Sequence, residues 1–216
     1  MHETTLDLRK YVTEAIGTLL LVFTVGASVR NASVLAPIAI GAILMAMIYA
    51  GGHISGAHYN PAVTLAVLVR RRITVRNAIV YWVAQIAGGL AGAALVIAIV
   101  APGQLKPDVL SGRDLLAAII AELLFTFALC YVVLNVATSK DHPDNSFYGL
   151  AIGFTVAAGA VAVGGLSGAA FNPAVVIGGV VMNVFGSSVV AYFIATQLIA
   201  AVLAGWTFRA LNSGDN

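Results

Sequence analysis

The stretch Gly52-His53-Ile54-Ser55-Gly56-Ala57-His58-Tyr59-Asn60-Pro61-Ala62-Val63-Thr64 lies inside an apolar run. A second stretch, Gly164-Gly165-Leu166-Ser167-Gly168-Ala169-Ala170-Phe171-Asn172-Pro173-Ala174-Val175, repeats its pattern. In each, a glycine-rich, non-helical approach ends in Asn-Pro-Ala and a short apolar tail. Asn is a strong helix N-cap, and Pro at the first helical position gives up an N–H that has no partner there anyway. Both stretches therefore read as helix starts in the middle of hydrophobic sequence. In lipid, irregular backbone persists only where protein buries it or where it lines a wet cavity. Two such starts suggest two half-helices meeting at a pore.

The composition agrees with a membrane setting. Of 216 residues, 60% are hydrophobic and 9% charged, where soluble domains carry about a quarter charged residues. From Asn145 to Phe208 there is no Asp, Glu, Lys or Arg, a length that holds more than two spans at about 20 residues each. The net charge of +2 points to no nucleic-acid partner. The single cysteine, Cys130, sits among apolar residues and reads as a packing side chain. The first apolar run lacks a small-residue cleavage site after it and reads as a retained span.

Apolar runs predict spans near 11–29, 34–52, 77–101, 113–137, 146–165 and 186–209. The pieces 60–70 and 172–182 are too short to cross. Between them lie Arg70-Arg71-Arg72, Pro102-Gly103, Pro107-Asp108, Ser111-Gly112 and the polar run from Ser139 to Asp144. Six crossings put both termini on one side with Arg9, Lys10, Arg70, Arg71, Arg72, Arg76, Lys140 and Arg209, against Arg30, Lys106 and Arg113 on the other. The positive-inside rule then places both termini in the cytoplasm.

The halves repeat. An offset of 112 carries Asn60 to Asn172, Gly41 to Gly153, Gly52 to Gly164, Ser55 to Ser167, Gly56 to Gly168 and Gln85 to Gln197; Glu14 meets Glu122 at 108. We read one channel domain over 1–216, with halves at about 8–101 and 113–210. Each half has three spans, so the second enters from the opposite side and the half-helices approach the midplane from opposite faces.

Two helix N-termini facing each other each present roughly half a positive charge, which repels cations and ignores neutral molecules. Asn60 and Asn172 have side-chain oxygens to cap their half-helices and N–H groups to offer a passing solute. The plain alternative is a pair of capped helices in buried loops with no conduit. Glu14 and Glu122 are costly facing lipid; we read them as acceptors for the re-entrant backbone N–H groups rather than as a proton relay. His53 and His58 are assigned to bracing the first loop, or to the cytoplasmic mouth for His58, in preference to gating or metal binding, because Gly165 and Ala170 stand in their places in the second half. Gly88 with Gly92, and Ala201 with Gly205, have the spacing that lets helices cross closely. The Arg70–Arg72 run suits acidic lipid headgroups as well as it suits a topology signal.

With these residues assembled, the chain resembles the aquaporin, or major intrinsic protein, family. The resemblance rests on Thr13-Glu14 with Gly17-Thr18, the first block through Thr64, Gln85, Glu122 and the block Ser167 through Ala174. It implies an all-α integral membrane fold, a right-handed bundle of six helices plus two re-entrant half-helices. It also implies a homotetramer with one pore per subunit in the plasma (cell inner) membrane, surrounded by membrane lipid. The activity implied is passive permeation, with no enzyme chemistry, cofactor or metal. The pore motifs become Asn60, Pro61, Ala62 and Asn172, Pro173, Ala174.

The departure from the family is informative. Most members place an arginine where this chain has Val175, and the other positions of the family's selectivity filter fall on Ile40, Ala160 and Ala169. All four are apolar and two are very small. Such a ring is expected to be wide, and to pass water together with larger neutral solutes such as glycerol, urea, hydrogen peroxide or neutral metalloid species such as arsenite. The alternatives are a mainly water-conducting aquaporin, an ion-coupled secondary transporter with Glu14 and Glu122 as its ionisable groups, and a closed pore with a structural or adhesion role.

Overall fold

A computed structural model of the protein describes residues 7–100 and 109–215. The Pro102-Gly103 and Pro107-Asp108 breaks and Lys106 lie outside the described residues, as does the start of the N-terminal segment.

Among the described residues, six helices are long and apolar enough to cross a membrane: α1 (Leu8–Arg30), α2 (Ala36–Ser55), α4 (Val75–Ile99), α5 (Gly112–Thr138), α6 (Tyr148–Ser167) and α8 (Val190–Leu211). Two further helices, α3 (Pro61–Val69) and α7 (Pro173–Val181), have nine residues each. At 1.5 Å per residue that is about 14 Å, under half of a hydrocarbon core of about 30 Å. The sequence-based spans fall within a few residues of these, the last being preceded by a 3-10 turn at Ser187–Val189.

Local chemistry sets the ends. Asp7 caps α1 by accepting from the Arg9 N–H, and Thr74 caps α4 by accepting from that of Asn77. Both helices that lead into the Asn-Pro-Ala segments stop on a left-handed glycine, Gly56 at φ 83° and Gly168 at φ 79°, a conformation that suits a residue without a Cβ.

Within each half the first span lies along the third, α1 on α4 and α5 on α8, while α2 meets α6 across the halves. That crossing is made by Gly41 and Gly153. A Cβ on either would sit 2.5 Å from the other's carbonyl oxygen, so the two backbones are in direct contact. Gly88 and Gly92 play the same part between α4 and α1, against the carbonyls of Ala15 and Leu19. Gly205 instead faces Val69, making room for the half-helix α3 rather than for a long neighbour.

Polar side chains are buried within the apolar core, and apolar ones face outward. Glu14, Gln85, Glu122, Gln197, Asn60 and Asn172 are buried, while Ile16, Ile120, Leu124, Phe154 and Ile199 are exposed on the outer helix faces, as a lipid-facing surface requires. Arg30 ends α1 and donates to the carbonyls of Val96, Val100 and Met182. It thereby sits on the negative ends of α1, α4 and α7 together.

Candidate functional site

After α2 the chain turns inward through Gly56–Tyr59, starts α3 at depth, and returns to the face it left. After α6, Gly168–Phe171 and α7 do the same from the other face. The two tips are tied to each other. Asn60 Nδ2 donates to the Phe171 carbonyl at 2.9 Å, and Asn172 Nδ2 donates to the Tyr59 carbonyl, also at 2.9 Å. Each asparagine oxygen caps its own half-helix, Asn60 Oδ1 accepting from the Ala62 N–H at 2.8 Å and Asn172 Oδ1 from that of Ala174 at 2.9 Å. A primary amide has two N–H donors, so one per asparagine remains beside the channel that both residues line.

Four non-glycine residues here have left-handed backbone: Ala57 (φ 50°), Tyr59 (φ 50°), Ala169 (φ 54°) and Phe171 (φ 48°). Such conformations cost on the order of 1–3 kcal/mol each and persist only where the surroundings over-determine them. Two buried carboxylates do this. Glu14 Oε1 accepts from the Ser55 hydroxyl at 2.7 Å and the His58 N–H at 2.9 Å; its Oε2 accepts from the Tyr59 N–H at 2.7 Å and Gln85 Nε2 at 2.9 Å. Glu122 Oε1 accepts from Ser167 at 2.7 Å and the Ala170 N–H at 3.0 Å; its Oε2 accepts from the Phe171 N–H at 2.8 Å and Gln197 Nε2 at 2.7 Å. Each pair of carboxylate oxygens thus gathers four polar partners, which fixes the re-entrant backbone from one side chain. The Gly56 N–H is taken by the Gly52 carbonyl, that of Ala57 by Ser55 and those of His58 and Tyr59 by Glu14, while the carbonyls of Gly56, Ala57 and His58 have no protein donor among the described residues. They are available to a hydrated solute.

The halves differ beside the asparagines. In the first, the Thr64 hydroxyl donates to the Asn60 carbonyl, accepts from Gln85 Nε2 at 2.8 Å and lies 3.0 Å from His58 Nδ1. The second half has Val176 and Ala170 in those places. The polar wall therefore belongs to the half of the channel nearer the termini.

The channel itself is narrow and aliphatic. Leu21, Val25, Leu44, Ile48, Leu129 and Val156 contribute to its wall, and its free space is about 30 Å³, room for about two or three waters. Wide vestibules open at either end, about 610 Å³ on the terminal face and about 430 Å³ on the opposite face. His58 borders both the channel and the terminal-face vestibule. Ile40 and Ala169 border both the channel and the opposite vestibule, with Val175 on the channel side and Ala160 on the vestibule side. None of Ile40, Ala160, Ala169 and Val175 brings a polar side chain to this end of the channel. The small side chains of Ala160 and Ala169 do not widen the lumen below, which is lined by larger aliphatic side chains on α1, α2 and α5.

One assignment from the sequence fails. His53 does not brace the loop: it is exposed on the last turn of α2 and borders a surface pocket with His142 and Asp144. It lies five residues before His58, and the turn at Gly56 carries the chain inward only after His53 has passed. Sequence reasoning also missed the serines, Ser55 and Ser167, each of which donates to its glutamate and accepts from the N–H two residues on. Their recurrence at the shared offset of 112, one residue before the left-handed glycine, was the available signal. Tyr81 and Trp82 add bonds from α4 to the carbonyls of Ser55 and Pro61.

Comparison with known proteins places this geometry among relatives. The family described as Major intrinsic protein matches residues 1–208. The chain is 37% identical over 219 residues to the glycerol uptake facilitator protein-like 6 of Lactiplantibacillus plantarum, covering 96% of this chain and 100% of that protein. It is 32% identical to aquaporin NIP2-1 of Oryza sativa subsp. japonica, covering 96% of this chain and 72% of the relative. Among solved structures, the aquaglyceroporin from Plasmodium falciparum superposes with a TM-score of 0.76 at 20% identity, over 93% of this chain and 95% of that one, a likeness of fold.

Proposed function

The chain belongs to the major intrinsic protein family, and on that premise we propose that it conducts water and larger neutral solutes across the membrane without coupling to an ion. The family consists of passive channels and not enzymes. Glycerol, after which the bacterial relative is named, is a first candidate beside urea, hydrogen peroxide and neutral metalloid species.

The observation that carries this reading is a channel flanked by two opposed half-helix tips, with Ile40, Ala160, Ala169 and Val175 at its outer junction. Half a positive charge 4 Å from a monovalent cation opposes it by about 2 kcal/mol at an effective dielectric of about 20. Two tips supply about 4 kcal/mol, roughly a thousandfold in rate. Neutral solutes escape that barrier and find acceptors in the loop carbonyls and donors in the asparagine amides. With no fixed charge at position 175, neither solute polarity nor a bulky guanidinium restricts the junction.

The test is a paired flux assay in proteoliposomes, for water and for glycerol or urea. Wild type should pass both, and Val175→Arg should reduce the larger solute at least tenfold while retaining water. An unchanged solute range in that variant would place selectivity elsewhere. A second reading, a mainly water-conducting pore, is favoured by the 30 Å³ lumen; exclusion of glycerol and urea by the wild type would establish it.

We further propose that both termini face the cytoplasm, in keeping with the basic residues of the terminal face, and that four copies associate with one pore each. Protease protection in oriented vesicles and the mass of the detergent-solubilised particle test these two statements.

A further inference from the structure

The residues after α8 fold back over the terminal face and end in a short 3-10 turn, Ser213–Asp215. Asp215 is a surface-segment acid that is nevertheless buried, at 4% exposure. Its Oδ1 accepts from Arg70 Nη2 at 2.7 Å and Arg72 Nη2 at 3.1 Å, and its Oδ2 from the Lys140 backbone N–H at 2.9 Å. Lys140 Nζ in turn donates to the Gly214 carbonyl. Arg70 is itself buried, caps the C-terminus of α3, and lies over the Phe208 ring with its guanidinium carbon 4.6 Å from the centroid.

Three segments therefore converge on one carboxylate: the end of the half-helix that carries Asn60, the α3–α4 connection, and the start of the α5–α6 loop. Arg72, Ser139 and Lys140 also line the 610 Å³ vestibule. We propose that Asp215 is a positioning residue for the terminal-face mouth, holding the α5–α6 loop back from the vestibule and so keeping the entrance open. The same carboxylate anchors the outer end of α3, so the mouth and the half-helix are fixed from one point. A buried guanidinium without its counter-charge is strongly unfavourable, which is why Asp215 needs two tests rather than one.

The proposal rests on the channel reading for its flux arm; its amide-exchange arm does not, so the two can fail separately. Full-length Asp215→Asn and the double variant Arg70→Met with Asp215→Leu are compared with wild type in proteoliposomes. The apolar pair removes the buried charges and restores thermal stability, yet it leaves the Lys140 N–H without its acceptor. In both variants, amide exchange over 139–147 should accelerate at least tenfold. Water and glycerol permeability per channel should fall several-fold with their ratio unchanged. Wild-type exchange and permeability in the stable double variant would overturn the proposal, reducing Asp215 to a counter-charge for Arg70. A changed permeability ratio would also overturn it, since that would place the effect at the filter.

Discussion

Replacing the two bracing glutamates by glutamine should have unequal effects. In either variant the new amide keeps one oxygen, which retains the serine hydroxyl and one loop N–H, and turns an NH₂ group toward the remaining two donors. The second loop N–H, from Tyr59 or Phe171, loses its acceptor in both halves, at about 1–3 kcal/mol for an orphaned buried donor. The glutamine partner is different. Gln85 Oε1 and Gln197 Oε1 are both buried without a partner among the described residues, so either side chain can flip and offer its oxygen to the new amide. Gln197 gives up nothing by flipping, because among the described residues its Nε2 binds Glu122 alone. Gln85 must release the Thr64 hydroxyl as well. Glu14→Gln is therefore expected to be the worse variant by about one hydrogen bond, roughly 1 kcal/mol, or about 2–4 °C in unfolding midpoint for a chain of this length. Thermal unfolding of the purified variants in one detergent measures it. Glu122→Gln destabilising as much as Glu14→Gln, or neither variant destabilising, would refute the reasoning, the second by showing that the loops are held without their carboxylates.

Other consequences follow from the packing. Gly153→Val places a side chain 2.5 Å from the Gly41 carbonyl, so α2 and α6 must separate; a loss of about 1–3 kcal/mol, with accelerated amide exchange in both helices, is expected. Arg30→Met removes the donors that serve three carbonyls and should cost about 2 kcal/mol, read as a lower unfolding midpoint and earlier exchange near Met182. Burial alone would raise the Asp215 carboxyl, but the Lys140 N–H, the Arg70 guanidinium and the Ser139 hydroxyl outweigh it and hold the group below the ordinary carboxylate range. Its contribution is thus complete above the unfolded value of about 4 and is lost as pH falls through the lowered folded value. Unfolding midpoints should show this acid step in wild type and lack it in the Arg70→Met, Asp215→Leu pair.

What the sequence made legible was whatever the repeat states twice. Asn60 and Asn172, their prolines, the two glutamates and the two glutamines occupy equivalent places because the same backbone problem, an inward turn with unpaired N–H groups, arises once in each half. The left-handed glycines share the offset for the same reason, and Gly41 and Gly153 share it because the equivalent helices of the two halves cross each other there. Features that occur once were hidden. Arg30 reads as a topology charge, and only the tertiary arrangement brings it to the ends of three helices. Asp215 stands in a polar stretch that looks solvated, and its partner Arg70 is 145 residues away. Nothing local marks such a pair. The narrowness of the lumen was hidden in a similar way: the side chains at Ile40, Ala160, Ala169 and Val175 say little about a passage also lined by Leu21, Leu44 and Leu129.

The central claim is that a neutral solute passes down its own gradient between the two asparagine-tipped half-helices. Stopped-flow light scattering of proteoliposomes under an imposed glycerol gradient, with and without a protonophore, tests it most directly. Uptake through such a channel rises linearly with the gradient and ignores the protonophore. Saturable uptake that requires a pH difference, or accumulation above the external concentration, would contradict it.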